Sequence, residues 1–165
     1  MITLLHGNHI EASRLELNKR KDSRQGREIR VLDGRTLEHS TLIQSLESSS
    51  LFGGDILVII DRLFAKIGRQ QKRIEELCRL LVRNSDVADI ILWEDKEVGA
   101  LVVKNLGTSA KVQLFKLPVL IFQFVDGIKP QAAHTLLPVF HQLIQTQAPE
   151  LVFSMMVKRV RQLIQ

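Results

Sequence analysis

Cysteine is almost missing from this chain: Cys78 stands alone among 165 residues. One thiol excludes an intramolecular disulfide and fits a reducing compartment. Tyrosine is absent, tryptophan occurs once, and aromatics make up 5% of the chain. A base-stacking platform needs several aromatic faces and is not expected here. No apolar run has bilayer length, and the longest, 117–125, is broken by Pro118 and Gln123. The amino terminus lacks the basic-then-apolar pattern of a secretory leader. The expectation is a soluble cytoplasmic protein with no membrane partner.

A second absence is more telling. The first apolar strand, Ile2-Thr3-Leu4-Leu5, runs into His6-Gly7-Asn8-His9 and then a helical stretch. A nucleotide-hydrolysing α/β protein carries its phosphate loop at that junction. The loop needs several glycines, so that backbone N–H groups can wrap the phosphates, then Lys and Ser/Thr for charge and Mg²⁺. This junction has one glycine, no lysine before Lys19, and no Lys-Ser or Lys-Thr pair. The pattern has the outline of an ATPase without its chemistry.

What the chain does contain is ordinary globular material, with 45% apolar and 25% charged residues. Its net charge is +5 and two stretches carry much of it. One holds Arg14, Lys19, Arg20, Lys21, Arg24, Arg27 and Arg30. The other holds Arg62, Lys66, Arg69, Lys72, Arg73, Arg79 and Arg83. Such stretches are either solvated helix faces or a surface for an acidic partner, and Arg69, Lys72 and Arg73 are the candidates to face nucleic acid.

Short apolar runs alternate with helical patterns. Strands are expected over 2–5, 28–32, 56–60, 90–93 and 111–115, and helices over about 10–22 and 36–47. The continuous run Ile56-Leu57-Val58-Ile59-Ile60 suits a central parallel strand covered on both faces. Ile74, Leu77, Cys78, Leu81 and Val82 form a helical stripe. Ser48 to Ser50 and Gly53-Gly54 bracket an expected exposed turn. This alternation predicts an α/β fold: a mostly parallel five-stranded sheet with flanking helices over 1–117, then a helical segment over 118–165. In that segment Pro138 interrupts one helical pattern, which either kinks or restarts there. Pro149 suits the first turn of a last helix, whose circumference is largely apolar.

No catalytic set emerges. Asp61 ends an apolar strand, as a Mg²⁺-holding carboxylate does, yet its neighbour is Arg62. With no phosphate loop opposite, it reads as a strand-end or capping residue. His6 and His9 read as turn residues, His134 and His141 share a helix face, and Cys78 lies on the apolar stripe. No metal and no cofactor are expected. The pair Leu51-Phe52 is the other candidate. It either tucks against the sheet edge, as composition favours, or projects outward as an anchor for a partner's pocket.

The order of short motifs resembles the delta subunit of the bacterial DNA polymerase III clamp loader. They are Leu4-Leu5-His6-Gly7, Leu32-Asp33-Gly34, Ser50-Leu51-Phe52-Gly53 before Leu57-Val58-Ile59-Ile60, Ile90-Ile91-Leu92-Trp93-Glu94-Asp95-Lys96 and Phe115-Lys116-Leu117-Pro118. Glu150-Leu151-Val152-Phe153, Met155-Met156 and Lys158-Arg159 resemble the start of that family's helical region. The resemblance implies a degenerate AAA+ domain that has lost ATP binding. It implies a non-catalytic role in DNA replication, gripping the sliding clamp and helping to open it beside other clamp-loader subunits, with DNA reached through the assembled complex. It assigns the clamp contact to Ser50, Leu51 and Phe52 and turns that pair outward. The family segment commonly opens with glutamine, where Glu47 stands here. The family's lid domain has no counterpart, so the chain is a reduced form, a fragment, or a paralogue that has kept only part of the role. The alternatives are a phosphoryl-transfer enzyme with Asp61 as metal ligand, and a basic nucleic-acid-binding accessory domain.

Overall fold

A computed structural model describes the chain except residues 25, 27, 52–55, 66, 69 and 165; of residues 47–51 only the backbone is described. The chain divides into two compact units, Met1–Lys116 and Leu117–Gln165.

The first unit is α/β. Its strands are β1 (Ile2–Gly7), β2 (Glu28–Asp33), β3 (Ile56–Asp61), β4 (Asp89–Glu94) and β5 (Ala110–Phe115). They form one sheet in the order β2-β3-β4-β1-β5, and every pairing is parallel. The helices between them are α1 (Ile10–Asp22), α2 (His39–Leu51), α3 (Gln71–Arg83) and α4 (Ala100–Leu106).

The crossover rule explains how the helices divide. The chain steps one way from β1 to β2, over β4 and β3, and then the opposite way through β3 and β4 to β5. Right-handed crossovers then require α1 on one face and α2, α3 and α4 on the other. The core agrees. Leu42 and Leu46 of α2, Ile74 to Leu81 of α3, and Val102 and Leu106 of α4 pack with Ile2, Leu4, Val58, Ile60, Ile90 and Leu92. On the opposite face Leu17 of α1 packs with Leu5, Leu57, Ile59, Ile91 and Trp93. Alternate residues of β1, β3 and β4 thus feed two cores, which is why these strands read as unbroken apolar runs.

Several expectations are corrected. β1 runs through His6 to Gly7, so His6 is a buried strand residue and not part of a turn. Helix α2 starts later than 36 and continues to Leu51, so Ser48 to Ser50 are helical and not a turn. Helix α4 carries no sequence signal: its Val102-Val103 pair favours strands, and seven residues are too few for a clear period.

The second unit contains α5 (Val119–Asp126), α6 (Ala133–Thr146) and α7 (Pro149–Ile164). Ile121, Phe124 and Val125 meet Leu143 and Val152 in its core. The Phe124 and Phe140 rings lie 5.8 Å apart. Helix α5 is apolar nearly all round, so its period is hidden in sequence. Helix α6 does not restart at Pro138. The proline removes the bond to the His134 carbonyl, and both residues are exposed, where water can replace it.

Candidate functional site

Ligands of open parallel sheets bind at the carboxyl ends of the strands, where the chain's stepping direction reverses. Here that place is the end of β1 beside β4. It is filled by the protein's own groups. The Gly7 N–H donates to the Lys96 carbonyl at 3.2 Å, and the His9 N–H donates to the Phe115 carbonyl at 3.1 Å. Two amides that could have faced a phosphate are therefore spent on the β4–α4 connection and on β5. Gly7 has φ +132, and a Cβ there would stand 2.0 Å from the Phe115 oxygen. The strand end lies directly against β5.

The start of α1 is equally unsuited to an anion. His9 caps it, its Nδ1 accepting from the Ala12 N–H at 3.4 Å. Glu11 adds a negative charge to the first turn. One turn on, the Arg14 guanidinium lies 3.5 Å over the Trp93 ring and donates to Asp61 Oδ2 at 2.7 Å. Arg62 Nε donates to the other oxygen of Asp61 at 3.0 Å. Both carboxylate oxygens of the expected metal-ligand candidate thus face guanidinium groups. Among the described residues no three His, Cys, Asp or Glu side chains group as a metal site.

Beneath this edge the tryptophan is fixed. Trp93 is buried, and its Nε1–H donates to the buried Ser13 hydroxyl at 3.1 Å, which itself donates to the Ile10 carbonyl at 2.9 Å. Arg62 has φ +59, unusual for a side-chain-bearing residue, and its N–H donates to the Trp93 carbonyl at 2.7 Å. The β3 end is thereby clamped to β4.

On the α2–α4 face, two buried titratable residues sit in register on neighbouring strands, His6 of β1 and Glu94 of β4. Glu94 Oε1 accepts the Phe64 N–H at 2.8 Å. Burial pushes its carboxyl up to about 7; the Phe64 N–H opposes that, and Asp95 and Asp61 add to it. His6 Nδ1 accepts the Val98 N–H at 3.2 Å, and burial lowers its pKa. Sequence reading passed over Glu94 as a functional residue. The available signal was that Ile90, Leu92 and Glu94 continue one period-two face.

A cavity of about 810 Å³ lies between the starts of α2 and α3. Its floor includes Leu42, Leu63 and Leu77, and its rim carries Lys72 and Arg73 with Glu38 and Glu76. Lys72 and Arg73 are exposed, while Arg69 lies outside the described residues. The basic stretches are partly neutralised within the chain, by Arg20–Glu16, Arg24–Asp89, Arg30–Glu28 and Arg79–Glu75 pairs. His134 and His141 are exposed on α6. Cys78 is fully buried, which pushes its thiol up to about 11 and leaves it a packing residue.

Ser50 and Leu51 form the backbone of the last turn of α2, and Phe52 lies outside the described residues. Leu51 ends α2, and Ile56 opens β3 at the amino-terminal edge of the sheet, opposite the filled strand ends. No protein-family model matches the chain, and no curated protein matches it. No described helix is long and apolar enough to cross a membrane.

Proposed function

We propose that this chain is a non-catalytic, delta-like subunit of the bacterial DNA polymerase III clamp loader, acting in the cytoplasm on the sliding clamp during DNA replication. The observation that carries the reading is the end of β1. A parallel α/β scaffold has the strand-to-helix turn where a nucleotide would sit, yet the Gly7 and His9 amides are bonded to its own carbonyls. Asp61 is held between Arg14 and Arg62 in the same way. Such a scaffold is suited to binding rather than turnover.

The resemblance supplies the rest. Leu51 and Phe52, with Ser50 before them, dock in a hydrophobic pocket of the clamp. The pair binds the open-interface ring better than the closed one, since only differential affinity shifts that equilibrium. Other subunits hydrolyse ATP and complete the loader, which carries the contact with DNA.

Unloading tests this role. The chain is added in excess to sliding clamps encircling nicked circular DNA, and release is followed by size exclusion. We expect release at least about tenfold faster than spontaneous opening, an increase that needs only about 1.4 kcal/mol of preference for the open ring. Release at the spontaneous rate contradicts the role.

A further inference from the structure

The geometry points to a proton-operated latch at the carboxyl edge of the sheet, in which protonated Glu94 and neutral His6 hold the β3–α3 and β4–α4 connections closed. This inference is independent of clamp binding. It begins with two side chains lying in register on adjacent strands. Each is 3% exposed, and the two accept backbone N–H groups from different connections. Glu94 takes Phe64, just after β3, at 2.8 Å, and His6 takes Val98, just before α4, at 3.2 Å.

The charges around the pair decide which proton state the closed edge accepts. Just after β4 stands Asp95, and at the end of β3 stands Asp61, and both oppose a negative Glu94. Arg62, the nearby cation, is engaged with Asp61 at 3.0 Å and reaches Asp95 only at 3.9 Å. Around His6, Glu97 favours and Lys116 opposes a positive ring, and burial outweighs both. Helices α2, α3 and α4 cover this face with apolar side chains. The Phe64 and Leu63 amides favour a carboxylate here, but burial away from water outweighs them. The neutral acid keeps the amide bond without that penalty.

The β3–α3 junction is also an element with something to gain by opening. Arg62 sits there at φ +59, a backbone state that costs energy unless its surroundings enforce it. Two bonds enforce it from β4, the Arg62 N–H to the Trp93 carbonyl and the Phe64 N–H to Glu94. Ionising Glu94 strengthens that amide bond but buries a charge, and opening the junction to water relieves the larger cost. Leu63, between them, belongs to the floor of the cavity at the starts of α2 and α3. The latch therefore couples proton concentration to the wall of that cavity.

The sign follows from the two shifts. Glu94 is raised to about 7 when closed, so its contribution to closure is full below the ordinary carboxyl range and is lost as pH rises through about 7. His6 is lowered, so its contribution is present above the ordinary imidazole value and is lost as pH falls below it. Closure is therefore tightest in mildly acidic solution and loosens on the alkaline side through Glu94.

Residue-resolved amide exchange, corrected for intrinsic rates, tests the latch in wild type and in Glu94→Gln. The glutamine can still accept the Phe64 N–H but cannot titrate. From about pH 5.5 to about pH 8.5, Phe64 protection in wild type should fall at least about tenfold, and in Glu94→Gln it should stay level. The carboxyl ¹³C resonance of Glu94 should titrate in wild type across the same interval. Constant protection in wild type, or an equal fall in Glu94→Gln, overturns the latch. The wild-type series alone decides the first of these, so a poorly folded variant does not rescue the inference.

Discussion

Gly7→Ala should cost about 4 kcal/mol of folding stability or more, among the largest effects available to a one-carbon change. The reasons are independent and add. Gly7 has φ +132, where a side-chain-bearing residue is strained. Its added carbon would stand 2.0 Å from the Phe115 oxygen, 2.7 Å from its carbonyl carbon and 2.9 Å from its nitrogen. Those atoms are backbone, so no rotamer change relieves the clash. Relief requires β1 and β5 to part, which breaks the Gly7–Phe115 register and the His9 N–H bond to Phe115. Gly99→Ala is the control, because nothing lies within 4 Å of a Cβ there and its backbone is extended. It should change stability by no more than about 0.5 kcal/mol. Urea unfolding of the two variants gives the comparison, and equal stabilities would mean that the end of β1 is not closed against β5. The same closeness removes the room and the donors of a phosphate cradle, so this stability measurement bears on function.

Replacing Leu51 and Phe52 together with alanine should weaken sliding-clamp binding about a thousandfold while leaving the fold intact. Buried anchors at an interface commonly contribute about 2 kcal/mol or more each, and about 4 kcal/mol corresponds to that factor. The stability arm matters as much as the binding arm. Two large apolar residues buried in this chain's own core would cost several kcal/mol on truncation, about 2–5 for the first alone. Docking residues would cost little. Calorimetric binding to the clamp, paired with thermal unfolding of the variant, separates the cases. A variant that binds as well as wild type, or that unfolds far below it, contradicts the assignment.

Much of the fold is legible in the chain because its central strands are buried twice over. Ile56 to Ile60 has no polar alternation since α1 and the α2–α4 layer each take half of its side chains. The α3 stripe is legible for the opposite reason: Ile74, Leu77, Cys78 and Leu81 are buried on one face while its charged residues stay outside. Helices α4 and α5 are not legible, the one too short and β-branched, the other apolar on nearly every side.

The site was legible as an absence and illegible as a construction. The missing lysine and glycines at the end of β1 are plain in the sequence. What replaces them is mostly not, because apart from the Arg62–Asp61 pair and the His9 cap the replacements are long-range contacts. Arg14 meets Asp61 across 47 positions, and Trp93 meets Ser13 across 80. Glu94 reads as a charged residue leaving a strand, whereas the register with His6 and the Phe64 amide bring it inside. Single residues carried no hint of these partners, since neither periodicity nor motif spacing encodes them.

Titrating the purified sliding clamp with this chain, once without nucleotide and once with saturating Mg-ATP, separates a nucleotide-free clamp binder from an ATP-dependent protein. Saturable binding of the same affinity is expected in both titrations, with no heat when Mg-ATP is added to the chain alone. No binding to the clamp, or binding that appears only with Mg-ATP, would contradict the proposed role.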